Sequence, residues 1–363
     1  MISEGSDAQR KGSTASRSKT LILNLTVLFV ATAFSLLLAE IAVRALGLAP
    51  SIIPITKGRF RLSPNPKIGY EPVPNIRYEA ESLDFYQYRG TGNSLGYRGP
   101  TYSENKDPKA FRIAVLGDSI VEGIGIDQYE ELFTAKVERA LREEGIPAEV
   151  LNFGVSGYNT QQEVATLKDK ALRFDPDLVL LSYCLNDTAS PSYWLLKPLL
   201  DEANQKKSIH LSNRFAARYL IRSALYRLLR FRLFAPSANE KTLLTFEPYD
   251  TGDTVAESVG ELANLSESQG FQALVVVFPH FTDRTFKNYA FGEQHEFIRG
   301  ITDERGLLLL DLLPAYKACR KETSQPLHRD NFHPNARGHT CAADAITEFI
   351  LESVIAETKF HHP

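Results

Sequence analysis

The chain is poor in cysteine and carries no large excess of charge of either sign. Three cysteines, Cys184, Cys319 and Cys341, occur in 363 residues, and their spacing matches neither a metal site nor a disulfide framework. They are expected in the core, with a Cys319–Cys341 disulfide as the alternative for a domain outside the cytoplasm. The net charge of -3 argues against a nucleic-acid partner. Nothing in these numbers points to a metal scaffold or a nucleic-acid-binding surface.

A long apolar run is confined to the amino terminus. Residues 1–19 are rich in Ser, Gly, Lys and Arg and predict a disordered cytoplasmic tail. Residues 20–46 contain an apolar run from Leu21 to Ala39, which can cross a bilayer because about 20 residues suffice. Basic residues before the run favour a cytoplasmic amino terminus. We therefore predict a single-pass signal anchor in the cell membrane, with the following domain extracytoplasmic.

A cleaved signal peptide is the alternative interpretation of this run. The triplets Ala31-Thr32-Ala33 and Ala45-Leu46-Gly47 both resemble small-residue cleavage sites. The first lies inside the apolar run, and the second follows the charged residues Glu40 and Arg44. The uncleaved anchor is therefore favoured.

The rest of the chain divides into a linker and one large domain. Residues 47–109 are rich in Pro, Tyr, Asn and Gly, which predicts a membrane-proximal linker that packs on the domain of residues 110–363. In that domain, short apolar runs typical of buried strands cover Arg112–Leu116, Glu149–Phe153, Leu178–Tyr183, Ala273–Phe278 and Leu307–Asp311. Helical patterns cover 128–144, 160–173, 254–269, 288–303 and Asn335–Glu357. This alternation predicts a parallel sheet between layers of helices.

An insertion at about 188–250 separates the third and fourth predicted strands. Six of its arginines fall among Phe, Tyr and Leu with no acidic residue between them: Arg214, Arg218, Arg222, Arg227, Arg230 and Arg232. One interpretation is a basic helix that lies near the membrane surface or near an anionic substrate. Because the arginines spread around the helix, a solvated cap over the sheet is favoured.

Four short motifs accompany the predicted elements in one order. Three follow the first three strands, and the fourth precedes the last helix: Gly117-Asp118-Ser119, Asn152–Gly157, Asn186-Asp187 and Asp330-Asn331-Phe332-His333. The carboxyl ends of parallel strands meet at one edge of a sheet, where ligands bind. The motifs are therefore expected to converge there.

Each residue type in this set suits one part of serine-ester hydrolysis. Ser119 is the candidate nucleophile, His333 the general base and Asp330 the group that holds the imidazole ring. The backbone N–H groups of Ser119 and Gly157 and the side-chain amide of Asn186 are the candidate oxyanion donors. Taken singly, each motif is also a plausible helix cap or turn. Their order and placement favour the catalytic interpretation.

Two competing assignments exist for residues in these motifs. Gly154-Val155-Ser156-Gly157 approaches the nucleophile elbow of α/β-hydrolases, but Tyr158 stands where that motif requires glycine. Four candidate metal ligands cluster in sequence, namely His328, Asp330, His333 and His339. No second carboxylate–histidine cluster accompanies them, so a metal site is not predicted.

With these motifs in view, residues 110–357 resemble the SGNH hydrolases, also called the GDSL esterase/lipase family, in their membrane-anchored bacterial type. The resemblance implies that Ser119 is the nucleophile, that Gly157 and Asn186 complete the oxyanion hole, and that Asp330 and His333 complete the triad. It also implies a three-layer α/β/α, flavodoxin-like domain with a five-stranded parallel sheet and no cofactor.

One position departs from the family pattern, because Cys184 stands where the third motif normally has glycine. A side chain there is expected to narrow the acyl pocket or to shift Asn186.

The resulting functional prediction is an extracytoplasmic serine ester hydrolase, either a short-chain or a carbohydrate esterase. Its substrate is an acyl ester, with an acylated glycan among the candidates. The alternative is an envelope polysaccharide O-acyltransferase, since fold and triad do not separate water from a sugar hydroxyl as the acceptor. A non-catalytic binding module is disfavoured because every catalytic position is filled.

Overall fold

The computed structural model describes residues 5–46, 48, 59–81, 87–185, 187, 223–233, 252–283 and 285–356. The chain divides into two compact units, one of residues 1–51 and 209–236 and one of residues 52–208 and 237–363.

The described secondary structure consists of short strands and of α-helices that are four to 41 residues long. The strands are β1 (Phe60–Leu62), β2 (Tyr70–Pro72), β3 (Arg77–Glu81), β4 (Gln87–Thr91), β5 (Phe111–Gly117), β6 (Ala148–Gly154), β7 (Leu178–Tyr183), β8 (Gln272–Val277) and β9 (Leu308–Asp311). The α-helices are α1 (Gly5–Ala45), α2 (Ser119–Glu122), α3 (Phe133–Glu143), α4 (Thr160–Asp169), α5 (Ala224–Leu233), α6 (Gly252–Gln269), α7 (Gly292–Glu304), α8 (Leu313–Glu322) and α9 (Ala336–Phe349).

The first unit is built on the apolar amino-terminal helix. Helix α1 begins at Gly5, so residues 5–19, expected to form a disordered tail, belong to the helix. Between Ile22 and Ala45 it is long and apolar enough to cross a membrane, with a mean hydropathy of 2.3, and most of its large apolar side chains are exposed. A signal sequence near the amino terminus has the same properties. The helix is therefore compatible with a single-pass anchor or a signal peptide.

A carboxylate of α1 caps the start of α5 within the same unit. Glu40 accepts hydrogen bonds from the Ser223 hydroxyl at 2.7 Å and from the N–H groups of Ala224 at 2.9 Å and Leu225 at 2.8 Å. The first N–H groups of a helix lack intrahelical acceptors, so these bonds stabilise its first turn. This part of the arginine-rich insertion thus contacts α1. Most of the insertion lies outside the described residues, and the prediction of a cap over the sheet remains a prediction.

A five-stranded parallel sheet forms the centre of the second unit, in the order β6-β5-β7-β8-β9. Every predicted strand of this sheet is present, and no strand end differs from its predicted position by more than one residue. Each pair of neighbours is parallel. The predicted fold class is therefore confirmed.

Alternate residues of each central strand pack on opposite helical layers. In β5, Ala114 and Leu116 pack with α4 and α6, whereas Ile113 and Val115 pack with α3 and α9. Both faces are thus buried, and this explains why the strands appear in the sequence as continuous apolar runs rather than alternating ones.

A disulfide joins two helices at the carboxyl-terminal end of the second unit. Cys319 of α8 is bonded to Cys341 of α9. The disulfide that the sequence predicts as the alternative to three core cysteines is therefore present. The bridge encloses a loop that contains Asp330 and His333. Helix α8 itself is not predicted from the sequence.

The membrane-proximal segment contains two small antiparallel sheets, β1–β2 and β3–β4, which the sequence does not predict. Phe60, Ile68, Tyr70 and Tyr97 of this segment are buried in the same cluster as one face of the central sheet. The segment is therefore packed into the domain.

Candidate active site

The first motif forms a tight turn between β5 and α2. The Asp118 carboxylate caps α2 by accepting the Ile120 N–H at 2.8 Å. A Cβ atom at Gly117 would lie 2.2 Å from the Val121 side chain, so only glycine fits at the end of this strand. Ser119 is thereby held at the carboxyl edge of the sheet, as expected.

Ser119, His333 and Asp330 form one continuous chain of hydrogen bonds. Ser119 Oγ lies 2.9 Å from His333 Nε2, and His333 Nδ1 lies 2.7 Å from Asp330 Oδ2. When the ring proton is on Nδ1, the ring donates to the carboxylate and Nε2 accepts from the serine hydroxyl. The residues predicted as nucleophile, base and orienting acid are therefore brought together.

The loop before α9 fixes the Asp330 carboxylate. Its Oδ1 accepts the backbone N–H groups of Phe332 and His333, each at 2.8 Å. Burial raises the pKa of Asp330, but the His333 ring and the two N–H donors outweigh burial and hold the pKa well below its ordinary value. Asp330 therefore stays ionised beside the imidazole.

The second motif is tied directly to the first. The Val155 N–H donates to the Gly117 carbonyl at 3.0 Å. Gly157 follows with a φ of 77°, in the left-handed region that favours glycine. Asn186 lies outside the described residues, so its predicted role as an oxyanion donor remains a prediction. Cys184 is buried in the core on the α3 face of the sheet, and its expected effect on the acyl pocket likewise remains a prediction.

Three carboxyl groups lie buried together behind the site, and the family motifs do not account for this cluster. Its members are Asp118, Glu163 and Asp187, which are 1%, 1% and 2% exposed. Asp187 accepts from the Cys184 N–H at 3.0 Å and from the Thr160 hydroxyl at 3.5 Å. Within the described residues, neither carboxyl oxygen of Glu163 has a hydrogen-bond partner. Burial, reinforced by the neighbouring carboxyl groups, raises the pKa of Glu163 and of Asp187 well above the ordinary value. Glu163 was missed by sequence reasoning, because a single Glu in an amphipathic helix carries no signal of burial.

We expect Glu163→Gln to make the domain less sensitive to alkaline pH. A carboxyl group whose pKa is raised in the folded state stabilises the folded domain fully at a pH below its unfolded pKa, near 4.5. That stabilisation is lost as the pH rises through the folded pKa. Glutamine imitates the protonated acid and does not ionise. The Tm of Glu163→Gln should equal that of the wild type at pH 4 and exceed it by about 3 °C or more at pH 9. The exposed Glu267→Gln is the control, and a Tm difference that is independent of pH would contradict the prediction.

Two of the four candidate metal ligands have other partners. The His339 ring stacks on Phe133 and its Nδ1 accepts the Phe133 N–H at 3.2 Å, while burial lowers the pKa of His339 to about 3. His328 Nδ1 lies 2.9 Å from the Asp330 carbonyl oxygen. In the part of the chain that the structure describes, no group of three or more His, Cys, Asp or Glu residues could hold a metal ion.

Residues 115–341 match the family model of the GDSL-like lipases and acylhydrolases. Together with the α/β/α fold, this match defines a hydrolase that acts on ester bonds. The chain belongs to the GDSL-like lipase/acylhydrolase family, as its motifs predict.

Three solved structures are similar to part of the chain. An acetyl xylan esterase, AlAXEase, is 16% identical, with 66% of this chain and 99% of that chain covered and a TM-score of 0.43. An acetylxylan esterase from Geobacillus stearothermophilus is 15% identical, with coverages of 66% and 93% and a TM-score of 0.43. A member of the lipolytic G-D-S-L family from Veillonella parvula is 13% identical, with coverages of 66% and 98% and a TM-score of 0.41. No curated protein sequence matches the chain.

Proposed function

We propose that the chain is a membrane-anchored, extracytoplasmic serine ester hydrolase in which Ser119 is the nucleophile, His333 the general base and Asp330 the orienting acid. The observation that carries the proposal is the hydrogen-bond chain from Ser119 Oγ through the imidazole to Asp330, with links of 2.9 Å and 2.7 Å. Both links fall within the reach required of a nucleophile and its base.

The reaction follows from this arrangement in two halves. Ser119 Oγ attacks the acyl carbon while His333 Nε2 takes the hydroxyl proton, and the carbonyl oxygen becomes an oxyanion. The ionised Asp330 stabilises the imidazolium that forms. The intermediate then expels the alcohol, which receives the proton from His333, and leaves an acyl ester on Ser119. Water attacks that ester with His333 again as the base, releasing the acid and restoring the serine.

The proposed oxyanion hole consists of the N–H groups of Ser119 and Gly157 and the amide of Asn186. We expect Asn186→Ala to lower kcat by about 10² to 10³ with little change in KM, because the donor acts on charge that develops only in the transition state. Steady-state kinetics with p-nitrophenyl acetate check this, with the exposed Asn288→Ala as the control. A kcat within twofold of the wild-type value would remove Asn186 from the site.

Three features support the proposed location: the apolar span Ile22–Ala45, the basic residues that precede it, and the Cys319–Cys341 disulfide. Structural disulfides persist in oxidising compartments and are rare in the cytosol. We expect the full-length chain to stay in the membrane fraction after a carbonate wash, and a chain that begins near residue 50 to be soluble and active. A mature amino terminus at Phe34 or Leu48 would show cleavage and contradict the anchor.

The proposed substrate is an ester with a small acyl group, including an acetylated glycan. Ser119 and His333 are only 7% and 6% exposed, and this low exposure supports a small acyl group.

A further inference from the structure

A tyrosine outside the region matched by the family model contacts the second motif. Tyr70 lies on β2 of the membrane-proximal segment, and its hydroxyl donates to the Ser156 carbonyl oxygen at 2.7 Å. Both residues are buried, and 86 residues of sequence separate them. The contact therefore connects the segment that follows the apolar helix to the turn that carries Gly157.

The Ser156 carbonyl and the Gly157 N–H belong to the same peptide group. This peptide is trans, so the two bonds are coplanar and point in opposite directions. A donor that fixes the carbonyl oxygen therefore also fixes the direction of the Gly157 N–H. Hydrogen bonding at the carbonyl also polarises the peptide and strengthens its N–H as a donor.

Ser156 is held on its other side by the first motif's helix. Its N–H donates to Glu122 Oε2 at 2.7 Å, and its hydroxyl donates to the same oxygen. Glu122 in turn pairs with Arg59 of the membrane-proximal segment. The peptide before Gly157 is thus clamped between α2, which begins at Ser119, and that segment.

Tyr70 is itself held in place by neighbours on both sides. The Tyr158 hydroxyl donates to the Tyr70 carbonyl oxygen. The Tyr70 ring makes edge contacts with Tyr158 and Phe60, at centroid distances of 5.2 Å and 5.4 Å. The hydroxyl therefore has little freedom to leave the Ser156 carbonyl.

We propose that Tyr70 is a positioning residue of the oxyanion hole, acting through the Ser156 carbonyl to orient and polarise the Gly157 N–H. The inference rests on the proposed function. It makes the membrane-proximal segment a working part of the active site rather than a spacer between membrane and enzyme.

The test compares Tyr70→Phe with Tyr97→Phe in the full-length protein in detergent. Tyr97 is also fully buried, and within the described residues its hydroxyl has no hydrogen-bond partner, so its removal costs packing alone. We expect Tyr70→Phe to lower kcat about tenfold, the effect of one lost hydrogen bond, and to leave KM unchanged. The affinity for a phenylboronic acid, whose tetrahedral adduct with serine imitates the intermediate, should fall by the same factor.

The outcomes separate this inference from the proposed function. If the wild-type enzyme hydrolyses p-nitrophenyl acetate through Ser119 and Tyr70→Phe behaves like Tyr97→Phe, the positioning role alone is wrong. If wild-type hydrolysis does not depend on Ser119, the proposed function is wrong.

A purely structural role for Tyr70 would lower the Tm and the yield of folded protein without weakening boronate binding by the folded fraction. If Tyr70→Phe does not fold, Tyr158→Phe takes its place. It should lower kcat about threefold at constant KM, and an unchanged kcat would overturn the inference.

Discussion

Ser119→Ala and His333→Ala should each lower the turnover of p-nitrophenyl acetate by at least ~10³. Alanine at 119 removes the proposed nucleophilic oxygen, and alanine at 333 removes the proposed general base. The two side chains are in contact at 2.9 Å, and the proposed mechanism requires them to act as one unit. The turnover of the double variant should therefore lie within a small factor of that of the less active single variant, since effects within such a unit are not additive.

The controls for this pair exclude loss of folding as the cause. Ser324→Ala, at an exposed serine, should keep wild-type turnover, and all variants should match the wild type in Tm within a few degrees. Added imidazole should restore part of the activity of His333→Ala but none of that of Ser119→Ala. A turnover near that of the wild type in either purified variant would overturn the assignment.

Asp330→Asn should lower kcat by about 10³ while preserving the loop. One oxygen of Asp330 accepts two backbone N–H groups, and the other faces His333 Nδ1 at 2.7 Å. An asparagine keeps the first oxygen and places its amide against Nδ1. The ring proton then moves to Nε2, which is no longer able to accept the Ser119 proton.

Two comparisons check the Asp330 prediction. The Tm of Asp330→Asn should stay close to that of the wild type, because the backbone contacts are kept, and KM should change little. The exposed Asp303→Asn should have no effect on kcat. A loss of less than tenfold in Asp330→Asn would show that Asp330 does not orient the base.

The central sheet was predictable because its strands are buried on both faces. Continuous apolar runs such as Leu178–Tyr183 have no competing periodic pattern, and their ends agree with β7. Helix α8, with Pro314 in its first turn, was not predicted. The small sheets β1–β2 and β3–β4 consist of strands of three to five residues, which are too short for an alternating pattern to emerge.

Some residues of the candidate site can be predicted from the local sequence, whereas others depend on long-range contacts. Asp330 and His333 are three residues apart, so their contact follows from sequence spacing, and Ser119 follows from its position after a buried strand. Tyr70 and Glu163 depend on contacts between segments that are remote in the chain. Nothing in the residues around either position signals those contacts, so only the folded structure reveals them.

Labelling with a fluorophosphonate probe tests the central claim most directly, because the probe bonds covalently to an activated serine. The full-length wild-type protein should be labelled at Ser119, as located by mass spectrometry of its peptides, and Ser119→Ala should not be labelled. His333→Ala should react far more slowly than the wild type. Equal labelling of Ser119→Ala, or labelling of the wild type at Ser156, would contradict the assignment of Ser119 as the nucleophile.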